Sequence, residues 1–190
     1  MEGLIKLHNT FHHIDWLNSL VKIITHLGDV AFIWLLIAFV MFWFKKTRKC
    51  SIVLVVSVGL GYVLNSLILK NIINRDRPFL LNEEFKNFIL SLKMELPDES
   101  SFPSGHAFSS FCAATIIFLF YKKAGIFAYV LAFLIALSRV YLCVHYPTDV
   151  LAGMVIGSLF AVLIYYVLRL IENKIRSKKA KEIRENNVQS

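Results

Sequence analysis

Between residues 27 and 168 the chain carries five apolar runs, most of them near 20 residues long, separated by polar or basic segments. That alternation constrains the fold more than any other feature. A run of about 20 apolar residues spans the hydrocarbon core of a bilayer, and inside lipid the backbone must satisfy its own N–H and C=O groups, so each run becomes a helix. The runs at 27–44, 50–69, 107–121, 124–144 and 150–168 predict an all-α polytopic membrane helix bundle of five spans. Composition agrees, with 57% hydrophobic residues and a mean hydropathy of +0.61, above the usual apolar share of soluble domains.

Ahead of the first run, Leu4, Leu7, Phe11, Ile14, Leu17, Val21 and Ile24 recur at helical spacing among His, Asn, Asp and Lys residues. An amphipathic helix on the outer membrane surface is expected over residues 1–26. A sixth span is the alternative, opposed by Asp15, Lys22 and His26, which are costly in lipid. No basic stretch leads into an apolar core with a cleavage site, so no removable signal peptide is expected. A second stripe, Phe85, Phe88, Ile89, Leu92 and Leu96, predicts a short interfacial helix that could act as a lid.

The net charge of +8 raises the question of a nucleic-acid partner, and its distribution argues against one. Lys45, Lys46, Arg48 and Lys49 close one turn, Lys122 and Lys123 another, and a third basic cluster lies between Lys174 and Arg184. These are orientation signals that place all three segments on the cytoplasmic side of a cell membrane. The chain then divides into the N-terminal helix, a membrane domain over 27–170, and a basic cytoplasmic tail over 171–190, expected to be disordered. Cys50, Cys112 and Cys143 are odd in number and spread along the membrane direction, so no disulfide framework follows.

With that orientation, three polar blocks all face the extracytoplasmic side. They are Lys70 with Arg77-Pro78, then Pro103-Ser104-Gly105-His106, then Ser138-Arg139 with His145 and Asp149. The third and fourth runs have only about 15 uninterrupted apolar residues, roughly 22 Å of a core roughly 30 Å thick, so their polar ends should lie at or below the headgroups. Asn65 and Ser66 are among the few polar residues within a run.

Lys70 and Arg77 are two helical turns apart, so a helix continuing past residue 69 would set them on one face with Asn74 between, until Pro78 ends it. Ordinary snorkelling at a span end is the plainer alternative. Pro103 suits a first helical turn, Ser104 a cap, and Gly105 a close approach of backbone to an anion held by free N–H groups. Alone, this block also reads as a helix cap with a chance histidine. Arg139 lies in apolar sequence, where an arginine suggests function. His145 and Asp149 are four apart around Pro147, close enough for the carboxylate to fix the imidazole tautomer, or for a merely structural contact.

Together the blocks read Lys-x6-Arg-Pro, Pro-Ser-Gly-His and Ser-Arg-x5-His-x3-Asp, and this resembles the three-part signature of the type 2 phosphatidic acid phosphatase superfamily, with every specified position filled. The resemblance implies integral-membrane lipid phosphate hydrolysis. It implies His145 as the nucleophile forming a phosphohistidine, Asp149 orienting it, and His106 protonating the leaving oxygen and then activating water. Lys70, Arg77, Ser104, Gly105 and Arg139 would hold the phosphoryl oxygens. No metal and no cofactor is expected, since three fixed cations and helix-end donors stabilise the spread charge. A neutral His145 and a protonated His106 predict a bell-shaped pH profile. Undecaprenyl diphosphate is the first substrate expected, because small members resembling this chain often recycle that carrier. Phosphatidylglycerophosphate or phosphatidic acid follows, then phosphotransfer to an acceptor lipid, and last a non-enzymatic transporter. His8, His12, His13 and His26 read as interfacial polar residues rather than a metal cluster.

Overall fold

The computed structural model describes residues 1–189 and contains no strand among them. The amphipathic N-terminal region is two helices, α1 (Glu2–Phe11) and α2 (Asp15–Leu27), where one was expected. The break is held by Asn18, whose side chain donates to the His12 carbonyl at 2.8 Å, and by an extended Ile14 ahead of α2. Past α2 the chain bends by 55° into α3 (Phe32–Trp43). The bend is a 3-10 turn, Asp29–Ala31, in which Val30 and Ala31 have φ of 49° and 57°. Left-handed conformations cost L-residues about 1–2 kcal/mol each, so this turn is held by its surroundings.

The next span opens as α4 (Arg48–Tyr62), passes through a π-helical segment (Val63–Leu69) and closes as α5 (Lys70–Ile73). A 3-10 turn, Pro78–Leu80, leads to α6 (Glu83–Ser91), capped by Asn82 Oδ1, which accepts from the Glu84 amide at 2.8 Å. Then come α7 (Gly105–Phe120), α8 (Lys122–Tyr141) and α9 (Pro147–Gln189). Arg48–Leu80, Lys122–Tyr141 and Pro147–Asn186 are long and apolar enough to cross a membrane, the bent α2–α3 pair could add a fourth crossing, and Gly105–Phe120 is a shorter apolar helix. The described tail continues α9 instead of being disordered, supported by Glu172, which accepts from Arg176 at 2.7 Å and pairs with Lys49. Ser190 lies outside the described residues.

The core is built around α7, buried from Ala107 to Ile117 and packed between α4, α8 and α9. Small residues let the backbones approach. A Cβ on Gly153 would lie 2.7 Å from the Ser104 carbonyl, and one on Gly157 would strike the Phe108 backbone, the close contact that paired glycines four apart permit in membrane helices. The opposite faces, including Phe39, Phe127, Val155, Leu159 and Leu163, are exposed and suit a lipid environment.

The two ends of the bundle differ in chemistry. At one, the Tyr121 hydroxyl donates to the Lys46 carbonyl at 2.7 Å and Lys49 pairs with Glu172, which gathers the basic turns and the start of the tail. At the other end sit the three polar blocks. A second apolar cluster of Leu4, Val21, Phe79, Phe85, Phe88 and Leu142 packs α1, α2 and α6 over the turn that carries His145. Lys22 donates to the Leu92 carbonyl at 2.6 Å and fastens α6 to α2.

Candidate active site

The first polar block is not helical throughout, contrary to the expected single face for Lys70, Asn74 and Arg77. The helix stops at Ile73, because Asn74 adopts a left-handed conformation (φ 38°) and caps it, and Arg77 is extended. Pro78 therefore opens the following 3-10 turn instead of ending a helix. This turn points Arg77 back into the protein, where it is 3% exposed. Its Nε donates to the Glu99 carbonyl at 2.7 Å and its Nη1 to the Val144 carbonyl at 3.1 Å. Lys70 is also buried and pairs with Glu99.

The second block is tied to the first through residues 99–101. The Ser101 amide donates to the Arg75 carbonyl at 2.8 Å, and the Arg75 amide donates to Ser100 Oγ at 2.9 Å. Ser104 is the N-cap of α7 by backbone conformation, but its buried Oγ has no partner among the described residues. Pro103 precedes the cap, so it is not in the first turn as expected. The Ser104 amide donates to the Asp149 carbonyl at 3.1 Å and fixes the start of α7 beside the start of α9.

In the third block, α8 ends at Tyr141 and Cys143 is left-handed (φ 53°), so the amides of Val144 and His145 both reach the Arg139 carbonyl at 3.3 Å. The turn brings His145 inward to 2% exposure. Its Nε2 lies 3.3 Å from Arg77 Nη1. A guanidinium only donates, so Nε2 presents its lone pair and the ring proton belongs on Nδ1. Burial, with Arg77 and Arg139 nearby, lowers the His145 pKa below its ordinary value of 6.5, against the pull of Asp149. The ring is thus held neutral.

The direct His145–Asp149 hydrogen bond anticipated from spacing is replaced by a longer arrangement, with Nδ1 and Oδ2 3.7 Å apart. Ser101 sits between them. Its Oγ donates to Asp149 Oδ2 at 2.6 Å and lies 3.4 Å from His145 Nδ1. The same Oδ2 accepts from the Tyr146 amide at 2.9 Å, and Oδ1 accepts from Arg75 Nη1 at 2.6 Å. Arg75 also stacks on the Tyr146 ring, 4.0 Å from its centroid. Arg139 is fully engaged on one side only. Its Nη1 donates to Thr25 Oγ1 at 2.5 Å, while Nε is buried without a partner among the described residues.

His106, at the start of α7, is held from the bend between α2 and α3. Its Nε2 is 2.8 Å from Asp29 Oδ1, and Asp29 Oδ2 is 2.7 Å from His26 Nδ1. His26, read from sequence as an interfacial residue, thus joins the edge of the site, while His8 and His12 stack on each other 4.6 Å apart elsewhere. The structure brings together the eight residues to which the resemblance gives a role. It adds Asp29, Arg75, Glu99 and Ser101, which sequence reading passed over. Arg75 and Ser101 lie two residues ahead of Arg77 and Pro103, and that adjacency was their only signal. Asp29 lies outside the blocks, at the head of an apolar run.

Residues 50–172 match the family model described as the PAP2 superfamily. The undecaprenyl-diphosphatase of Sulfolobus acidocaldarius is 35% identical over 156 residues, covering 82% of this chain and 72% of that protein. Phosphatidylglycerophosphatase B of Bacillus subtilis is 33% identical over 180 residues, covering 87% of this chain and 80% of that protein. The crystal structure of a transmembrane PAP2 type phosphatidylglycerolphosphate phosphatase from Bacillus subtilis superposes with a TM-score of 0.67 at 28% identity, covering 90% of this chain and 86% of the other.

Proposed function

This chain belongs to the PAP2 superfamily, and on that premise we propose that it hydrolyses a lipid phosphate or diphosphate through a phosphohistidine, without a metal, at the extracytoplasmic face of the cell membrane. The observation that carries the mechanism is the orientation of His145. Its Nε2 lone pair faces Arg77 at 3.3 Å, on the side where a phosphoryl group would be held. Nε2 attacks phosphorus, the bond from phosphorus to the leaving oxygen breaks, and His106 supplies that oxygen with a proton. Asp149 balances the charge gained by His145. Water, deprotonated by His106, then cleaves the N–P bond and releases phosphate.

The cations do the electrostatic work. Lys70, Arg77 and Arg139 surround the phosphoryl position with the Ser104 hydroxyl and the Gly105 amide, so charge spreading onto the equatorial oxygens meets fixed donors in a site sheltered from water. Asp29 holds His106 in place, and Arg75 with Ser101 holds Asp149. We read the chain as crossing the membrane five times with its basic end inside, and on that reading the pocket lies at the outer headgroups.

Undecaprenyl diphosphate is the substrate we favour, supported by the relative from Sulfolobus acidocaldarius and by an undecaprenyl-diphosphatase of Bacillus subtilis that is 26% identical. Phosphatidylglycerophosphate is the second reading, favoured by phosphatidylglycerophosphatase B and the structural neighbour. Phosphate release from each lipid, and from phosphatidic acid, by the purified protein decides between them. The highest kcat/KM on undecaprenyl diphosphate is expected; a preference for phosphatidylglycerophosphate overturns the assignment.

A further inference from the structure

The second span carries a buried polar residue for which the proposed chemistry has no use. Asn65 is 2% exposed, and neither Oδ1 nor Nδ2 has a hydrogen-bond partner among the described residues. A buried amide without a partner is destabilising, whereas a leucine of similar size carries no such penalty. Folding alone therefore gives no reason for an asparagine at this position.

The backbone around Asn65 sets its direction. Residues Val63–Leu69 are π-helical, and the Lys70 amide donates to the Asn65 carbonyl five residues back. In an α-helix residues five apart are rotated by about 140° from one another; a π turn closes at five and puts them on one face. Asn65 and Lys70 consequently share a groove of about 510 Å³, lined by these two and His106 together with the apolar Leu35, Val58 and Tyr62. A Cβ on Gly105 would lie 3.5 Å from Asn65 Nδ2, so the carboxamide abuts the N-terminus of α7.

The groove includes His106, which protonates the leaving oxygen, and does not include His145, the nucleophile. It is therefore the side from which the lipid departs. We propose that Asn65 binds substrate on this leaving-group side, Nδ2 donating to an oxygen that links the scissile phosphoryl group to the lipid, with the lipid chain lying along the apolar part of the groove. This inference rests on the phosphatase reading above. The oxygen can belong to the second phosphate of a lipid diphosphate or to the glycerol ester of a phosphatidyl lipid, and either one accepts a hydrogen bond.

The test is Asn65→Leu, which removes the amide without removing any hydrogen bond within the protein. Thermal stability in detergent and kcat/KM are measured on undecaprenyl diphosphate, phosphatidylglycerophosphate and phosphatidic acid. Stability equal to or above wild type is expected, with kcat/KM lowered about 10- to 100-fold, the range for one hydrogen bond to a charged group. A loss confined to the diphosphate assigns the contact to the second phosphate, and a loss confined to the phosphatidyl lipids assigns it to the glycerol ester. An equal loss on all three assigns it to the bridging oxygen they share. Asn65→Asp, which sets a carboxylate against the substrate anion, should lose more. Ser57 also has a buried hydroxyl without a partner among the described residues but lies outside the groove, so Ser57→Ala should retain wild-type rates. Asn65→Leu within threefold of wild type on every lipid overturns the inference alone, as does an equal loss in Ser57→Ala. A wild-type protein that releases no phosphate from any of these lipids overturns the phosphatase reading and this inference together.

Discussion

Asp149→Asn changes one atom in the most densely bonded side chain of the site. In the native protein Oδ1 accepts from Arg75 Nη1 at 2.6 Å, while Oδ2 accepts from Ser101 Oγ at 2.6 Å and the Tyr146 amide at 2.9 Å. An amide offers a single oxygen. If it serves Ser101 and Tyr146, the new NH2 faces the Arg75 guanidinium, donor against donor, and one charge-assisted bond worth about 1.5–3 kcal/mol is lost. The other orientation loses two bonds and is worse. The negative charge 3.7 Å from His145 Nδ1 also disappears; at an effective dielectric near 20, a unit pair at that range interacts by roughly 4 kcal/mol. Only part of the positive charge has developed on the imidazole at the transition state. A fall in kcat of about 10²- to 10³-fold therefore follows, with reduced thermal stability and little change in KM. Size-exclusion chromatography in detergent measures the folded fraction, and phosphate release is normalised to it. Folded Asp149→Asn within about threefold of wild-type kcat would refute the charge-balancing role.

The acid limb of activity is expected well below pH 6.5, the ordinary histidine value, because burial and the two arginines lower the His145 pKa and keep Nε2 unprotonated as pH falls; a pH–kcat/KM profile with its only acid limb near 6.5 contradicts this. Gly157→Ala should destabilise the bundle by about 1–3 kcal/mol, the usual range for overpacking, since its Cβ meets the Phe108 backbone, which cannot swing aside. Thermal unfolding in detergent checks it, with Gly59→Ala, where a Cβ meets nothing within 4 Å, as the comparison. Prolonged EDTA treatment should leave phosphate release unchanged, and a loss restored by magnesium would sink the metal-free mechanism.

Much of the site was legible in the sequence because its residues fall where apolar runs stop, and a polar block at a span end stands out against its surroundings. The helical class was legible for the same reason. Spacing misled where the backbone leaves helical geometry. Lys70 and Arg77 looked like neighbours on one face, but a left-handed Asn74 ends the helix between them. His145 and Asp149 looked close enough to bond directly, yet Ser101, from a distant loop, enters between them. Asp29 carries no periodic signal at all. Its place beside His106 depends on a bend with two left-handed residues that nothing in Asp29-Val30-Ala31 announces. The π-helical segment was equally hidden, because its effect is to put Asn65 and Lys70 on the same face when α-helical spacing separates them.

The most direct measurement of the central claim is the covalent state of His145 during turnover. Wild-type protein is mixed with undecaprenyl diphosphate, quenched in base within milliseconds, and mapped by mass spectrometry. A phosphoryl group on His145, absent in His145→Ala together with all phosphate release, is the expected result. Undiminished phosphate release by His145→Ala, or a phosphoryl group trapped on a different residue, would contradict it.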